Sequence, residues 1–101
     1  KIEGTETKEA MDICSAAAFD GGKPDVQIVI LGRGETQPKV DHWLTVGAKS
    51  RGVTGFAVGR TVFGDTIAQL HRGELTEEQA IEQIAKNYQH CIDVFERAKI
   101  S

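Results

Sequence analysis

The sequence of 101 residues lacks the features that mark nucleic-acid-binding, membrane and exported proteins. It contains two cysteines, two prolines and no excess of positive charge, since 12 Lys and Arg stand against 15 Asp and Glu. The formal net charge of -3 provides no basic field, so we expect neither a nucleic-acid partner nor a membrane partner. No apolar run approaches the ~18 residues that span a bilayer, and no export signal is visible. We therefore expect a cytoplasmic protein.

Cysteine and histidine lack the spacing of a metal site. Cys14 and Cys91 form no Cys-x-x-Cys pair, and no His lies at zinc-ligand spacing beside either one. We interpret both as buried thiols, because a free Cys packs as a small apolar side chain. His42, His71 and His90 fall in separate segments, and we interpret them as surface or hydrogen-bonded residues. We expect no metal and no cofactor.

The composition is that of a folded domain. Apolar residues make up 40% and charged residues 27%, which is too apolar for a disordered chain. A chain of this length falls within the range of single domains and can bury roughly two-thirds of its unfolded surface.

Two helices are predicted in the first half of the chain. Apolar residues three and four positions apart mark the first at 10–17, and the glycines and proline of 21–24 close it. The second follows Thr36 and Pro38, a polar residue and then a proline, as helix N-termini favour. We expect it to end at Gly52. Its apolar positions are Val40, Trp43, Leu44 and Gly47.

Two further helices are predicted in the second half. One has a face of Phe63, Ile67 and Leu70, with Gly73 placed for a left-handed stop. The last begins at residues 76–79, where Thr and Gln form a capping box. Its apolar stripe consists of Ile81, Ile84, Tyr88, Cys91, Ile92 and Phe95.

Two short apolar runs, VQIVILG at 26–32 and VTGFAV at 53–58, have the β-branched composition of buried parallel strands. Helices that alternate with such strands indicate an α/β fold with right-handed crossovers. KIEG at 1–4 resembles the tail of another strand. So few strands leave unpaired edges and uncovered apolar faces, so we expect a fragment, with residues 1–101 as a single partial domain.

Both strands run into glycine and then polar residues, LGRGET at 31–36 and VGRT at 58–61. Glycine at the carboxyl end of a strand lets backbone N–H groups approach a ligand, and the following helix adds its positive end. We therefore predict a phosphate site. Its candidate residues are Gly32, Arg33, Gly34, Gly59 and Arg60.

Other glycine motifs fit these loops poorly. The first loop lacks the third Gly of a dinucleotide fingerprint, and the chain has no Gly-Lys-Ser/Thr sequence. Either loop alone also fits a tight turn with a solvated arginine. We favour Arg60 over Arg33 as the phosphate ligand, because the predicted helix holds Arg60 in place.

Five segments closely resemble the C-terminal part of a bacterial (β/α)₈ aldolase-like domain. They are KIEG at 1–4, VILGRGE at 29–35, HWL at 42–44, GFAVGRTVF at 55–63 and AIEQIAKNY at 80–88. That domain is often fused behind 5-dehydro-2-deoxygluconokinase, a sugar kinase of myo-inositol catabolism, and it is distantly similar to class I tagatose-bisphosphate aldolases. The resemblance covers essentially the whole chain. It implies the C-terminal quarter of a TIM barrel, from the end of strand six through the C-terminal helices, with two parallel strands, the end of a third and about four helices.

The resemblance also implies an activity, the cleavage of 2-deoxy-5-keto-gluconate 6-phosphate, a phosphorylated sugar acid, into dihydroxyacetone phosphate and malonic semialdehyde. In class I aldolases a lysine on strand six forms a Schiff base, and Lys1 matches that position. Glu3 lies two residues further on the same strand face, where it either shuttles protons or pairs with the ammonium. The fragment alone is expected to be inactive, because a frayed chain end cannot desolvate the amine.

Two alternatives remain open. One is a sugar-phosphate-binding module of a kinase fusion that does no chemistry. The other is a structural quarter-barrel that associates with itself through its open strand edges, since unpaired edges and uncovered apolar faces favour association.

Overall fold

The computed structural model describes residues 1–20 and 25–100, and in them it shows an α/β fold with a three-stranded parallel sheet and four helices. The elements are β1 (Ile2–Glu3), α1 (Lys8–Phe19), β2 (Ile28–Leu31), α2 (Gln37–Ala48), β3 (Val53–Ala57), α3 (Arg60–His71) and α4 (Glu77–Ile100). The α/β prediction is confirmed, and the middle two residues of KIEG form β1, the strand beyond the two predicted apolar runs. The predicted closure of the first helix at 21–24 lies outside the described residues.

The strands lie in chain order, β1-β2-β3, and every pairing is parallel. The β2–β3 register shifts once, because Ile28 pairs with Val53 whereas the next residue, Val29, pairs with Gly55. This irregularity brings Phe56 opposite Ile30. Both side chains therefore point to the face of the sheet that the helices cover.

The core lies between that face and the helices. Ile28, Ile30 and Val53 are almost fully buried, and Val40 and Leu44 of α2 are buried in the same cluster. Burial of each such side chain contributes about 1.5–3 kcal/mol. On the opposite face of the sheet the side chains are less covered, since Val29 and Leu31 are half-buried and Ala57 is exposed.

Trp43 of α2 packs against the chain just after β1. A Cβ atom at Gly4 would lie 2.3 Å from the Trp43 ring, so only glycine allows this approach. The Trp43 indole Nε1 donates a hydrogen bond of 3.0 Å to Glu6 Oε1. Trp43 is 4% exposed, which confirms its predicted place in the core.

The end of α2 differs from the prediction. The helix follows Thr36 as expected but ends at Ala48, four residues before Gly52. Gly52 lies in the turn into β3 with φ +82°, where its missing side chain leaves room for the Phe19 ring. The glycine was therefore a correct signal for a left-handed turn but marks the start of a strand and not the end of a helix.

The buried face of α3 also differs from the prediction. Val62 and Thr66 are buried, whereas Phe63 and Ile67 of the predicted face are 41% and 38% exposed. The reason is that α3 packs on α4, where Asn87 Nδ2 donates a 2.9 Å hydrogen bond to the Val62 carbonyl. Gly73 has φ +73°, as predicted for the residue that stops this helix.

The capping box of α4 is confirmed, because Thr76 Oγ1 accepts from the Gln79 N–H and Gln79 Oε1 accepts from the Thr76 N–H. The predicted apolar stripe is only partly buried. Cys91 is fully buried and Phe95 nearly so, whereas Ile81 is 68% exposed. The reason is that α4 has 24 residues and α2 has 12, so α2 covers only part of α4.

Within the described residues, no helix has the length and apolarity that a membrane span requires.

Gly47 permits the close contact of α2 with β2, and this generates a stability prediction. A Cβ atom at Gly47 would lie 2.7 Å from Ile30 Cδ1, whereas one at Gly64 of α3 would meet only Arg60 Cβ at 3.9 Å. Replacement of Gly by Ala raises the helix propensity equally at both positions. The difference in unfolding free energy between the two variants therefore reports the clash at position 47. We expect Gly47→Ala to be less stable than Gly64→Ala by about 1–3 kcal/mol in denaturant unfolding. Equal stabilities would contradict this packing.

Candidate phosphate-binding site

The two glycine loops meet at the carboxyl edge of the sheet. Parallel pairing brings the ends of β2 and β3 to the same edge, and the Gly32 N–H extends it by donating to the Ala57 carbonyl at 3.2 Å. Further out, Thr61 Oγ1 donates a 2.5 Å hydrogen bond to the Glu35 carbonyl. The loop after β2 and the first turn of α3 therefore form one structural unit.

Arg60 lies directly over the first loop. A Cβ atom at Gly34 would lie 2.9 Å from Arg60 Cζ, and Gly34 has φ +72°, a backbone conformation that favours glycine. Among the described residues Arg60 forms no salt bridge. Its exposed guanidinium thus keeps the planar set of donors that suits a phosphoryl group.

Two helix N-termini open at the same edge. The N-cap of α3 is Gly59, which has no side chain to cap the first turn, and the N-cap of α2, Thr36, makes no side-chain cap hydrogen bond. The first N–H groups of a helix have no intrahelical partner, and they carry its positive partial charge. Both helix ends therefore favour an anion at the place where Arg60 lies.

Between the loops lies a polar cavity of about 300 Å³. It is lined by Gly34, Glu35, Thr36, Gln37, Arg60, Thr61 and Asp65. A larger groove of about 550 Å³ on α4 is lined by apolar residues and Gln89, and it offers a phosphate no cation. In residues 1–20 and 25–100 no cluster of His, Cys, Asp and Glu side chains has the arrangement of a metal site.

Three of the predicted site residues have other partners. The Gly32 N–H is used by the sheet, so it is not free to bind a ligand. Arg33 Nε lies 3.0 Å from Glu3 Oε2, and both side chains are at least half exposed. Glu3 therefore pairs with Arg33 and not with Lys1, which is exposed at the start of β1.

The structure adds polar residues that the sequence analysis did not select. Thr61, Gln37 and Asp65 line the cavity beside the glycines. A signal for Thr61 was present, because a hydroxyl in the first turn after the second glycine loop faces the same edge. Gln37 and Asp65 stand in ordinary helical sequence, and nothing in the pattern marks them.

The three histidines are surface or hydrogen-bonded residues, as predicted. His42 Nε2 lies 2.6 Å from the Glu6 carbonyl oxygen, His90 Nε2 lies 2.8 Å from Asp41 Oδ2, and His71 is exposed. The cysteine interpretation is correct for Cys91, which is fully buried. Cys14 is only partly buried, because its helix α1 packs at the margin of the core.

The two thiols are expected to differ in reactivity. Burial raises the pKa of the Cys91 thiol, a hydrogen bond from Gln37 opposes the shift, and the sulfur is closed to reagents. A raised pKa lowers the thiolate fraction at neutral pH, and the thiolate is the reactive form. We expect native-state labelling at pH 7.5 to modify Cys14 well before Cys91, with both equally fast in denaturant, as read by peptide mass spectrometry. Equal native rates would contradict the burial of Cys91.

Comparison with known proteins identifies the family. The family described as "Uncharacterized protein conserved in bacteria (DUF2090)" matches residues 9–99, which include both glycine loops and all four helices apart from their outermost residues. Neither the curated proteins nor the solved structures give a match. The chain belongs to the DUF2090 family.

Proposed function

We propose that this chain forms the phosphate-binding edge of a class I phosphosugar aldolase whose catalytic domain is a TIM (β/α)₈ barrel. The observation that carries the proposal is the position of Arg60 over Gly34, between two uncapped helix N-termini at the carboxyl edge of a parallel sheet. Barrel enzymes frequently bind phosphate there, in the loops after strands seven and eight and at the N-terminus of a short extra helix.

The helical arrangement supports this assignment. After β3 the chain forms α3 and then α4 with no strand between them, and this order agrees with an extra helix after the last strand of a barrel. The sheet supports it as well, because three consecutive strands lie side by side and the outer edges of β1 and β3 carry no strand among the described residues. In a barrel, Val29 and Leu31 belong to the filled interior.

The reaction follows from the family resemblance. In this proposal the phosphoryl group of 2-deoxy-5-keto-gluconate 6-phosphate binds at Arg60. The Lys1 amine then condenses with the substrate carbonyl with loss of water. A base removes the proton of the hydroxyl group that becomes the aldehyde of malonic semialdehyde, and the protonated imine accepts the electron pair of the breaking carbon–carbon bond as an enamine. The enamine carbon takes up a proton, and water hydrolyses the resulting imine to release dihydroxyacetone phosphate and free Lys1. The products are dihydroxyacetone phosphate and malonic semialdehyde. The chain alone is expected not to release them, because Lys1 is exposed to water and lacks the enclosed surroundings in which a lysine amine acts as a nucleophile.

Phosphate affinity tests the role of Arg60. Arg60→Ala should weaken binding of inorganic phosphate and dihydroxyacetone phosphate roughly ten- to a hundredfold, since a charge-assisted hydrogen bond contributes about 1.5–3 kcal/mol. Arg33→Ala removes the same charge from a residue that pairs with Glu3, so it is the matched control and should change affinity far less. Isothermal titration calorimetry measures both. Equal losses in the two variants would show a general charge effect and reject the site.

Borohydride trapping tests the lysine. In a protein that carries this segment within a complete barrel, reduction in the presence of dihydroxyacetone phosphate should fix the label on the lysine at position 1, as located by tandem mass spectrometry. Reduction without the substrate is the control. Label on a different lysine would rule out Lys1 as the nucleophile while leaving the phosphate site intact.

A second candidate function is a sugar-phosphate-binding module without chemistry. The observation that favours it is the ion pair of Glu3 with Arg33, which leaves Lys1 without the predicted proton-transfer partner. Such a module binds the sugar phosphate and releases no dihydroxyacetone phosphate, so a coupled assay on the barrel-containing protein separates the two functions.

Self-association is favoured by a different surface. Ile81 and Tyr88 of α4 are 68% and 45% exposed, and they line the apolar groove that lies near the open edge of β3. Exposed apolar surface beside unpaired backbone groups promotes pairing between chains. Light scattering tests this directly, because a monomer at high concentration rejects the associating form.

A further inference from the structure

We infer that Thr61 acts as a latch that fixes the spacing between the two halves of the phosphate site. The inference rests on the proposed phosphate-binding function and names a positioning residue for it. The hydroxyl hydrogen of Thr61 is donated to the Glu35 carbonyl, so the side chain acts through the loop that it holds.

The latch connects the starts of two helices. Thr61 is the second residue of α3, and Glu35 directly precedes Thr36, the N-cap of α2. A single hydrogen bond of 2.5 Å, at the short end of the range for O–H···O, therefore joins segments that are 26 residues apart. Thr61 is partly buried, which strengthens the bond relative to one in water.

The position of Thr61 in α3 explains why its hydroxyl bonds to another segment and not within its own helix. Inside a helix, a threonine hydroxyl commonly bonds to the carbonyl four residues earlier. Thr61 lies in the first turn of α3, so the residue four positions earlier is Ala57 of β3, outside the helix. The branched side chain has few χ1 rotamers, so a hydroxyl aimed at the other loop loses little entropy when the bond forms.

The other contacts between the loops do not fix the same distance. The Gly32 bond lies within the sheet, before the loop turns at Gly34. The Arg60 side chain lies over Gly34, but the contact is non-bonded and both residues are exposed. Core packing positions α2 itself, so the Thr61 bond is the contact that ties the loop at Glu35 to the first turn of α3.

Two substitutions separate the hydroxyl from the shape of the side chain. Thr61→Val keeps the branched shape and removes the donor, whereas Thr61→Ser keeps the donor. We expect Thr61→Val to speed amide hydrogen exchange at Val40, whose N–H donates to the Thr36 carbonyl beside the latch, and to weaken inorganic phosphate binding about two- to tenfold. Thr61→Ser should stay close to the unmodified chain in both measurements. Exchange in β2 and α4 should be unchanged, which excludes global destabilisation as the cause.

A double-mutant cycle distinguishes a role of Thr61 in positioning Arg60 from a purely structural role. If Thr61 acts by setting the geometry around Arg60, Thr61→Val should cost less phosphate affinity in the Arg60→Ala background than in the unmodified chain. Fully additive losses, or unchanged exchange at Val40 in Thr61→Val, would overturn the latch. If the unmodified chain binds no phosphate, the proposed function fails, and the exchange measurement still decides whether Thr61 holds the loop.

Discussion

The parallel pairing of β2 with β3 is the constraint on which the rest of the structure depends. It sends both strand ends to one edge, so the two glycine loops meet there although 27 residues separate Gly32 from Gly59. An antiparallel pair would have placed the loops at opposite edges. Because each loop leads into a helix, the same pairing also brings two positive helix ends together.

Glycine and arginine have different roles at that edge. Gly34 gives the loop its left-handed turn and leaves the space that the Arg60 guanidinium occupies, while Gly59 leaves the first turn of α3 uncapped. The carboxylates of Glu35 and Asp65 also line the cavity, so its field is not uniformly positive. A bound ligand therefore gains from a phosphoryl group near Arg60 and from hydroxyl donors near the two carboxylates.

Patterns within the chain predicted most of the fold. The β-branched runs predicted β2 and β3, and the capping box at 76–79 predicted the start of α4, because these signals are local. The buried face of α3 was predicted wrongly. It is determined by packing against α4, and the spacing of apolar residues within α3 does not show which side α4 covers. The glycine loops and Arg60 were visible in the sequence. The Glu3–Arg33 pair and the Thr61 bond join distant segments and needed the structure.

The central claim is that phosphate binds between the two glycine loops, and an NMR titration tests it most directly. On addition of inorganic phosphate, the account predicts that the largest amide shifts fall at residues 33–37 and 59–61. Lys49 and Arg97 line a separate groove between α2 and α4, and they serve as an internal reference for non-specific attraction to positive charge. Shifts centred on that groove, or no saturable shifts at the glycine loops, would contradict the account.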